Sequence, residues 1–398
     1  MKQTMKNSIT LICIILGLFS TEVRAQNRIP QKGEIPILAW YSIPDSACTL
    51  TRYQELQNAG FTATFPHLNT MAEVDRALAM CKKTNLKLLA TCSEISNKTT
   101  EAVNHLKKNP NLLAYFLQDE PVCSQFADLG AKVKQIQTLD PKHSCYINLL
   151  PDCGADRMGA PYPEYVERGI KELGTKIVSF DIYPIHYTGI VDTWYWQLEV
   201  VSSAAHKANL PFWGFALLCT HGDYPMPTLA SLRLQLYGDL AYGAQCLQYF
   251  TYWNPIDINY DFRFAPIDIN GKRTFIYDLV KQMNQEIQQI AGVFIGAKVE
   301  SVRHLGDHLP YGMMRLYNLP AGFSIIDTHG AHALVSQLSN DGHNYVVIQN
   351  CELEKPMMLS VSTSASIKRV LKNGSITKAS IYANTNRVDP GDIQIYTY

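Results

Sequence analysis

The sequence predicts an α/β fold, a (β/α)₈ TIM barrel over residues 26–292, followed by a C-terminal antiparallel β-sandwich over residues 293–398. Short apolar runs recur every 25 to 34 residues or so, which is the repeat of a strand followed by a helix. Helix-like amphipathic stretches separate these runs. After residue 293 the pattern changes to short alternating runs divided by turn residues.

Eight apolar runs supply the predicted barrel strands. Each is short and lacks strict alternation, as is typical of parallel strands buried on both faces. The runs span residues 37–41, 61–66, 86–91, 112–117, 144–149, 176–180, 211–218 and 246–252. Eight strand–helix units close into a barrel. The alternative is an open doubly wound sheet, which is disfavoured because no glycine-rich phosphate loop follows the first run.

The stretches between the runs predict helices. Thr70 and Glu73 form a capping-box pattern that opens a helix ending near Lys83. Further helices are expected at 125–137, 233–242 and 275–291. In the C-terminal part, strands are expected at 323–326, 345–349, 358–361, 367–370 and 393–396, separated by turn sequences such as Asn340-Asp341-Gly342.

The first 25 residues are typical of a secretory signal. Lys2 and Lys6 precede an apolar stretch at 9–19, which is too short to span a bilayer, and Ala25 suits cleavage. An uncleaved anchor is the alternative. No later stretch is long enough for a transmembrane helix. The mature chain is therefore expected to be periplasmic or extracellular.

Composition excludes several classes of partner. The chain has 35 Lys and Arg against 35 Asp and Glu, and its basic residues do not cluster, so no nucleic-acid partner is expected. No CxxC or His/Cys spacing suggests a metal, and no cofactor is expected. Nine of the ten cysteines follow the predicted signal. We expect mostly free thiols, with a Cys145–Cys153 disulfide as the alternative.

In a (β/α)₈ barrel the active site lies at the C-terminal ends of the strands. The fourth run leads directly into Asp119 and Glu120, and the sixth ends at Asp181. Adjacent carboxyl groups at the mouth of an apolar barrel should raise at least one pKa, as a general acid requires. Pro121 is expected to hold Glu120 in an extended conformation. Capping or ion pairing is the structural alternative for these carboxylates.

Glycoside hydrolysis usually needs two carboxyl groups. Glu120 with Asp181 would provide them, and Glu94 and Asp223 are further candidates. Expected sugar contacts at or near the strand ends are Trp40, Tyr41, His67, Asn148, Tyr183, Trp213 and Trp253. Core packing is an equally good explanation for each tryptophan and tyrosine taken singly.

The motif at 115–121, Tyr-Phe-Leu-Gln-Asp-Glu-Pro, resembles strand four of clan A glycoside hydrolases, and residues 241–253 resemble strand eight of their galactosidase-like members. The resemblance implies that Glu120 is the general acid/base. Two departures stand out. Asp119 replaces the clan's Asn, and residues 212–219 lack the Glu that serves as nucleophile on strand seven.

The Asp-Glu pair is also similar to that of substrate-assisted hexosaminidases, in which the Asp orients an acetamido group of the substrate. That resemblance implies roles for Asp119, Glu120 and Tyr183. Barrel α-glycosidases, with carboxylates on strands four and six, are a third comparison. The expected function is an exported glycoside hydrolase acting on a carbohydrate substrate. The alternatives are a non-catalytic carbohydrate-binding barrel and a metal-dependent hydrolase.

Overall fold

The computed structural model describes residues 28–30, 33–257 and 259–398. The predicted signal at 1–25 lies outside the described residues. Within these ranges, no helix is long and apolar enough to cross a membrane.

The first part of the chain forms a closed barrel of eight parallel strands, in the neighbour order β1-β8-β7-β6-β5-β4-β3-β2. This confirms the predicted fold class and excludes the open sheet. The strands are β1 (Ile37–Trp40), β2 (Ala63–Phe65), β3 (Lys87–Ala90), β4 (Leu112–Asp119), β5 (Ser144–Leu149), β6 (Val178–Phe180), β7 (Phe212–Leu217) and β8 (Cys246–Phe250).

Helices connect these strands and cover the outside of the barrel. They are α1 (Leu50–Asn58), α2 (Met71–Thr84), α3 (Ser93–Asn97), α4 (Thr99–Leu106), α5 (Phe126–Leu139), α6 (Ala155–Met158), α7 (Tyr162–Arg168), α8 (Trp194–Lys207), α9 (Leu229–Ala241), α10 (Ile276–Gln289) and α11 (Ala291–Phe294). The predicted start of α2 is confirmed, because the Thr70 side chain accepts a hydrogen bond from the Glu73 backbone N–H.

Side chains alternate between the barrel interior and the helices, as the pleat of a strand requires. On β5, Tyr146 packs inside the barrel, whereas Ile147 packs in the outer core beneath the helices. Trp40, Phe65 and Phe215 fill the interior beside Tyr146. The interior is therefore packed, and the space for a ligand lies above it.

Two local features shape the loops above the barrel. The register between β4 and β5 shifts between Phe116 and Gln118, which marks a β-bulge in β4. After β6, residues Ile185–His186 pair with Gly189–Ile190 as a small antiparallel hairpin. Neither feature was predicted from the sequence.

The C-terminal part consists of antiparallel strands, as predicted. They are β9 (Lys298–Leu305), β10 (Phe323–Asp327), β11 (Ala333–Asn340), β12 (His343–Asn350), β13 (Met357–Thr363), β14 (Lys368–Val370), β15 (Ile376–Lys378), β16 (Asn384–Val388) and β17 (Ile393–Thr397). One sheet has the order β9-β11-β12-β17-β14-β15, and the other has the order β10-β13-β16. The predicted turn joins β11 to β12, with Asp341 and Gly342 both at positive φ.

The larger sheet packs on the barrel through a continuous apolar core and buried amides. Asn340 Nδ2 donates to the carbonyl oxygens of Gly292, Val293 and Ile295 at the end of α11. Gln349 Nε2 donates to the carbonyl oxygen of Leu234 on α9. Because these carbonyls sit at the junction, the sheet satisfies backbone groups that the barrel alone would leave exposed.

The nine cysteines in the described part of the chain are all free thiols. The alternative of a Cys145–Cys153 disulfide is therefore not supported. Cys145 is fully buried on β5, where it packs as a small apolar residue.

Candidate active site

A cavity of about 660 Å³ opens at the C-terminal end of the barrel strands. This is the face at which (β/α)₈ barrels carry their active sites. Its wall is formed by Trp40, Asp119, Glu120, Asn148, Pro151, Asp152, Asp181, Ile182, Tyr183, His186, Val191, Thr193, Gln197, Phe215, His221, Gly222, Asp223, Tyr224, Phe250, Tyr260 and Phe262. All three predicted catalytic carboxyl groups lie on this wall.

The bulge in β4 directs Asp119 into the cavity. Before the bulge, Phe116 pairs with Tyr146 and both side chains face the barrel interior. After it, Gln118 pairs with outward-facing Ile147, and Asp119 pairs with inward-facing Asn148. Without the extra residue, strand alternation would send Gln118 inward and Asp119 outward.

Glu120 reaches the same cavity because its backbone turns. Its φ is +47°, in the left-handed region, so the expectation that Pro121 holds it extended is wrong. Its backbone N–H donates to the carbonyl oxygen of Asn148 at 2.9 Å, which fixes the turn against β5. Neighbouring residues of a regular strand point to opposite faces, whereas this turn places both carboxyl groups on one wall.

Asn148 joins the carboxyl groups of Asp119 and Asp181. Its Nδ2 donates to Asp181 Oδ1 at 2.6 Å and to Asp119 Oδ1 at 3.3 Å. Its Oδ1 accepts from Ser179 Oγ at 2.8 Å. Because Asn148 is only 2 % exposed, its amide NH₂ group donates to the two carboxyl groups and not to solvent.

All three carboxyl groups have raised pKa values. Burial, followed by repulsion from Glu120 and then from Asp119, raises the pKa of Asp181 well above its usual range. Asp119 is open to the cavity, yet its removal from bulk water and the Glu120 charge raise its pKa to about 6. Burial also raises the pKa of Glu120, against an opposing effect of Arg157. The cavity therefore favours the protonated form of these carboxyl groups.

Aromatic rings form another part of the wall. Tyr183 stacks on Phe250 with ring centroids 5.8 Å apart, and Phe262 lies 4.6 Å from the His221 ring. Tyr224 contacts His221 at 4.8 Å. Flat rings and carboxyl groups in one cavity suit a sugar ring, which has an apolar face and polar edges.

Strand β7 brings no carboxylate to the wall before Asp223, as the sequence indicated. Its inward-facing residues near the cavity are Phe215 and Leu217, followed by Cys219. Burial raises the pKa of the Cys219 thiol to about 12, so this side chain is not a ready nucleophile in place of the Glu.

Four predicted sugar contacts stand outside the cavity wall. Trp213 lies inside the barrel, 5.7 Å from the Tyr146 ring. Trp253 is half-buried, with the Arg52 guanidinium 5.4 Å from its ring centroid. Tyr41 and His67 pack against each other at 4.3 Å, beside Trp40 but off the wall. Trp40, Asn148 and Tyr183 do line the cavity.

The candidate Glu94 also faces elsewhere, because its carboxylate accepts a hydrogen bond from the backbone N–H of Met71 at the start of α2. Asp223, the other further candidate, does line the cavity, and so does His221 two residues before it.

Many residues of the cavity wall were not predicted from the sequence. The additional wall residues include Asp152, His186, Gln197, Tyr224, Tyr260 and Phe262. They come from long loops after β5, β6, β7 and β8 and from α8, where no strand-end rule applies. In the described ranges, no three His, Cys, Asp or Glu side chains are grouped as a metal site needs.

Comparison with known proteins places this geometry in a familiar fold. The sequence matches no protein family and no curated protein. Among solved structures, a beta-galactosidase from Bacillus circulans sp. alkalophilus matches with a TM-score of 0.61 and 10% identity, over 93% of this chain and 99% of that one. A glycoside hydrolase family 5 protein from Bacteroides vulgatus matches with a TM-score of 0.54 and 11% identity, over 93% and 92%.

This chain spans 60% of the length of a third match, a beta-galactosidase from the psychrophilic Marinomonas ef1, with a TM-score of 0.49 and 9% identity over 64% of this chain. The first two matches confirm the expected resemblance to clan A glycoside hydrolases at the level of fold alone: they share the barrel and extend over the C-terminal part of this chain.

Proposed function

We propose that this protein is a glycoside hydrolase in which Glu120 is the general acid/base. The observation that carries the proposal is the convergence of Glu120, Asp119 and Asp181 on one aromatic-walled cavity. Proteins of the same fold include beta-galactosidases and a glycoside hydrolase family 5 protein, which supports this class of reaction.

Asp181 is the better candidate for the second catalytic carboxyl group. Glu120 repels Asp181 more strongly than Asp119 does, so the charges of Glu120 and Asp181 are closely linked. Asp119 and Asp181 both contact Asn148 Nδ2, so Asp119 lies beside the proposed second catalytic group, with their bonded oxygens at most about 6 Å apart. Asp119 would then orient the substrate, or assist an acetamido group of the sugar.

The proposed chemistry follows from these charges. Protonated Glu120 donates its proton to the glycosidic oxygen as the bond to the anomeric carbon breaks. Burial and the neighbouring carboxyl groups disfavour ionised Asp181, and the positive charge that develops on the sugar favours it. Asp181 would either attack the anomeric carbon directly or activate a water molecule.

The wall also indicates the substrate's charge. Five carboxyl groups line the cavity, and none of its described wall residues is Lys or Arg. Uronic acids and sulfated sugars need a cationic partner, since burying an unpaired anion beside carboxylates is costly. We therefore propose a carbohydrate substrate that is neutral or carries an amine. We further propose export to the periplasm or the cell exterior, on the basis of residues 1–25.

The test is a panel of aryl hexosides and aryl N-acetylhexosaminides, assayed with the wild type and Glu120→Gln. We expect turnover of at least one substrate, and a loss of about 10²- to 10⁴-fold in the variant. Glu94→Gln is the matched control, because Glu94 follows a barrel strand on the same face but lies off the wall. Equal losses in both variants would contradict the assignment.

The second candidate function is a non-catalytic carbohydrate-binding barrel. The absence of a carboxylate on β7 ahead of Asp223 favours it. Titration calorimetry with the same panel of aryl glycosides distinguishes the binding barrel from the enzyme. Binding by the wild type with no hydrolysis of any substrate would support the binding barrel over the enzyme.

A further inference from the structure

A connected set of buried hydrogen bonds lies inside the barrel, directly beneath the carboxyl groups. The Tyr146 hydroxyl donates to Gln248 Oε1 at 2.7 Å, and Gln248 Nε2 donates to Ser179 Oγ at 2.9 Å. Ser179 Oγ in turn donates to Asn148 Oδ1 at 2.8 Å. Tyr146, Gln248 and Ser179 are all fully buried, so water cannot replace these partners. We call these three residues the buried triad.

The buried triad fixes which way the Asn148 amide points. An asparagine amide can present either its oxygen or its NH₂ group to a neighbour. Because Ser179 donates to the Asn148 oxygen, the NH₂ group must face Asp181 and Asp119. Ser179 has one proton to give, and Gln248 donates to the serine oxygen instead of competing for it. The Tyr146 hydroxyl also lies 2.8 Å from Ser179 Oγ, but it gives its own proton to Gln248 Oε1, and the serine proton goes to Asn148 Oδ1.

We propose that Tyr146, Gln248 and Ser179 are positioning residues that hold the Asn148 NH₂ group toward Asp119 and Asp181. The two carboxyl groups can then accept hydrogen bonds in their ionised form, although burial and mutual repulsion oppose ionisation. This inference rests on the proposed function, because it assigns the triad a task in the same acid–base site.

Acidic side chains surround the carboxyl pair. Those that interact electrostatically with Asp181 come from β4 and the turn after it, β5, α7 and the loops after β6 and β7: Asp119, Glu120, Tyr146, Tyr162, Tyr183 and Tyr224. All are acids that are neutral or negative, and none supplies a positive charge. Tyr183 also donates a hydrogen bond to Asp181, and Asn148 is the donor that Asp119 and Asp181 share.

The test compares Tyr146→Phe with Tyr115→Phe. Without its tyrosine donor, Gln248 is free to turn its oxygen toward Ser179 and take the serine proton. Asn148 can then turn its own oxygen toward the carboxyl groups, which favours their protonated forms. We expect the acid limb of the kcat/KM profile to move up by about one pH unit.

Tyr115→Phe is the matched control, since this buried tyrosine donates to Asp140 outside the barrel. It should lower stability to a similar extent and leave the pH profile unchanged. Ser179→Ala should move the acid limb up as Tyr146→Phe does. Ser179→Thr keeps the hydroxyl group, so its acid limb should stay at the wild-type position. An unchanged acid limb in both Tyr146→Phe and Ser179→Ala would overturn the inference.

A second readout does not depend on turnover. Titration of the ¹³C-labelled aspartate carboxyl groups by NMR should show the pKa of Asp181 rising in Tyr146→Phe and not in Tyr115→Phe. If the wild type hydrolyses nothing, the proposed function fails, while this titration still decides the role of the triad.

Discussion

Replacing Asp181 with Asn should make the protein more stable and much less active. Asp181 is 9 % exposed, and burial together with the charges of Glu120 and Asp119 raises its pKa well above the usual range. Asparagine has almost the same shape and can still accept the 2.6 Å hydrogen bond from Asn148. The exchange therefore removes repulsion without opening a cavity.

The expected gain is about 0.5–2 kcal/mol at pH 7.5, as is usual when a strained functional group is neutralised. For a chain of this length that is roughly 1–3 °C in Tm. A raised folded-state pKa costs stability only where the unfolded aspartate is ionised. The gain should therefore be present at pH 7.5 and disappear as the pH falls toward about 4, the value of an unperturbed Asp. Turnover should fall by about 100-fold or more.

Differential scanning calorimetry at pH 4.5 and 7.5 checks this, with Asp140→Asn as the matched buried control. Burial alone would raise the pKa of Asp140, but hydrogen bonds from Tyr115 and His143 outweigh it and hold the pKa below its usual range. That variant should lose about 1–3 kcal/mol at pH 7.5. A lower Tm for Asp181→Asn at pH 7.5, or a gain of equal size at both pH values, would refute the reasoning.

Three further outcomes are expected. Arg157→Met removes the charge that partly offsets the raised pKa of Glu120, so the basic limb of kcat/KM should move up by a few tenths of a pH unit; a downward shift would contradict this. Phe262→Ala should raise KM about tenfold with little change in kcat, which steady-state kinetics on the best substrate of the panel would show. Asn340→Ala should cost about 1–3 kcal/mol in denaturant unfolding, because three backbone carbonyls lose their donor, and activity per folded molecule should stay the same.

The barrel could be predicted because its signals are local. Each strand needs only a short apolar run, and seven of the eight strands lie within the predicted runs; β4 alone extends further, to Asp119. The turn before β12 was equally readable, because Asp341 and Gly342 suit the positive φ values that a tight hairpin requires.

The site was predictable only up to the strand ends. The placement of Asp119 depends on a bulge near Leu117, and the placement of Glu120 depends on a left-handed backbone conformation. No sequence pattern indicates either of them. The rule that strand ends face the site also misplaced Trp253, because its ring turns toward Arg52. Phe262 and Tyr224 lie in long loops, whose paths are set by tertiary contacts.

The order of strands in the larger C-terminal sheet has a consequence for biosynthesis. Strand β17, at residues Ile393–Thr397, lies between β12 and β14, in the middle of that sheet. Until these residues have left the ribosome, β12 has an open edge and the sheet cannot close over α9 and α11. During that time, part of the apolar surface of the barrel stays exposed, and exposed apolar surface is what chaperones recognise.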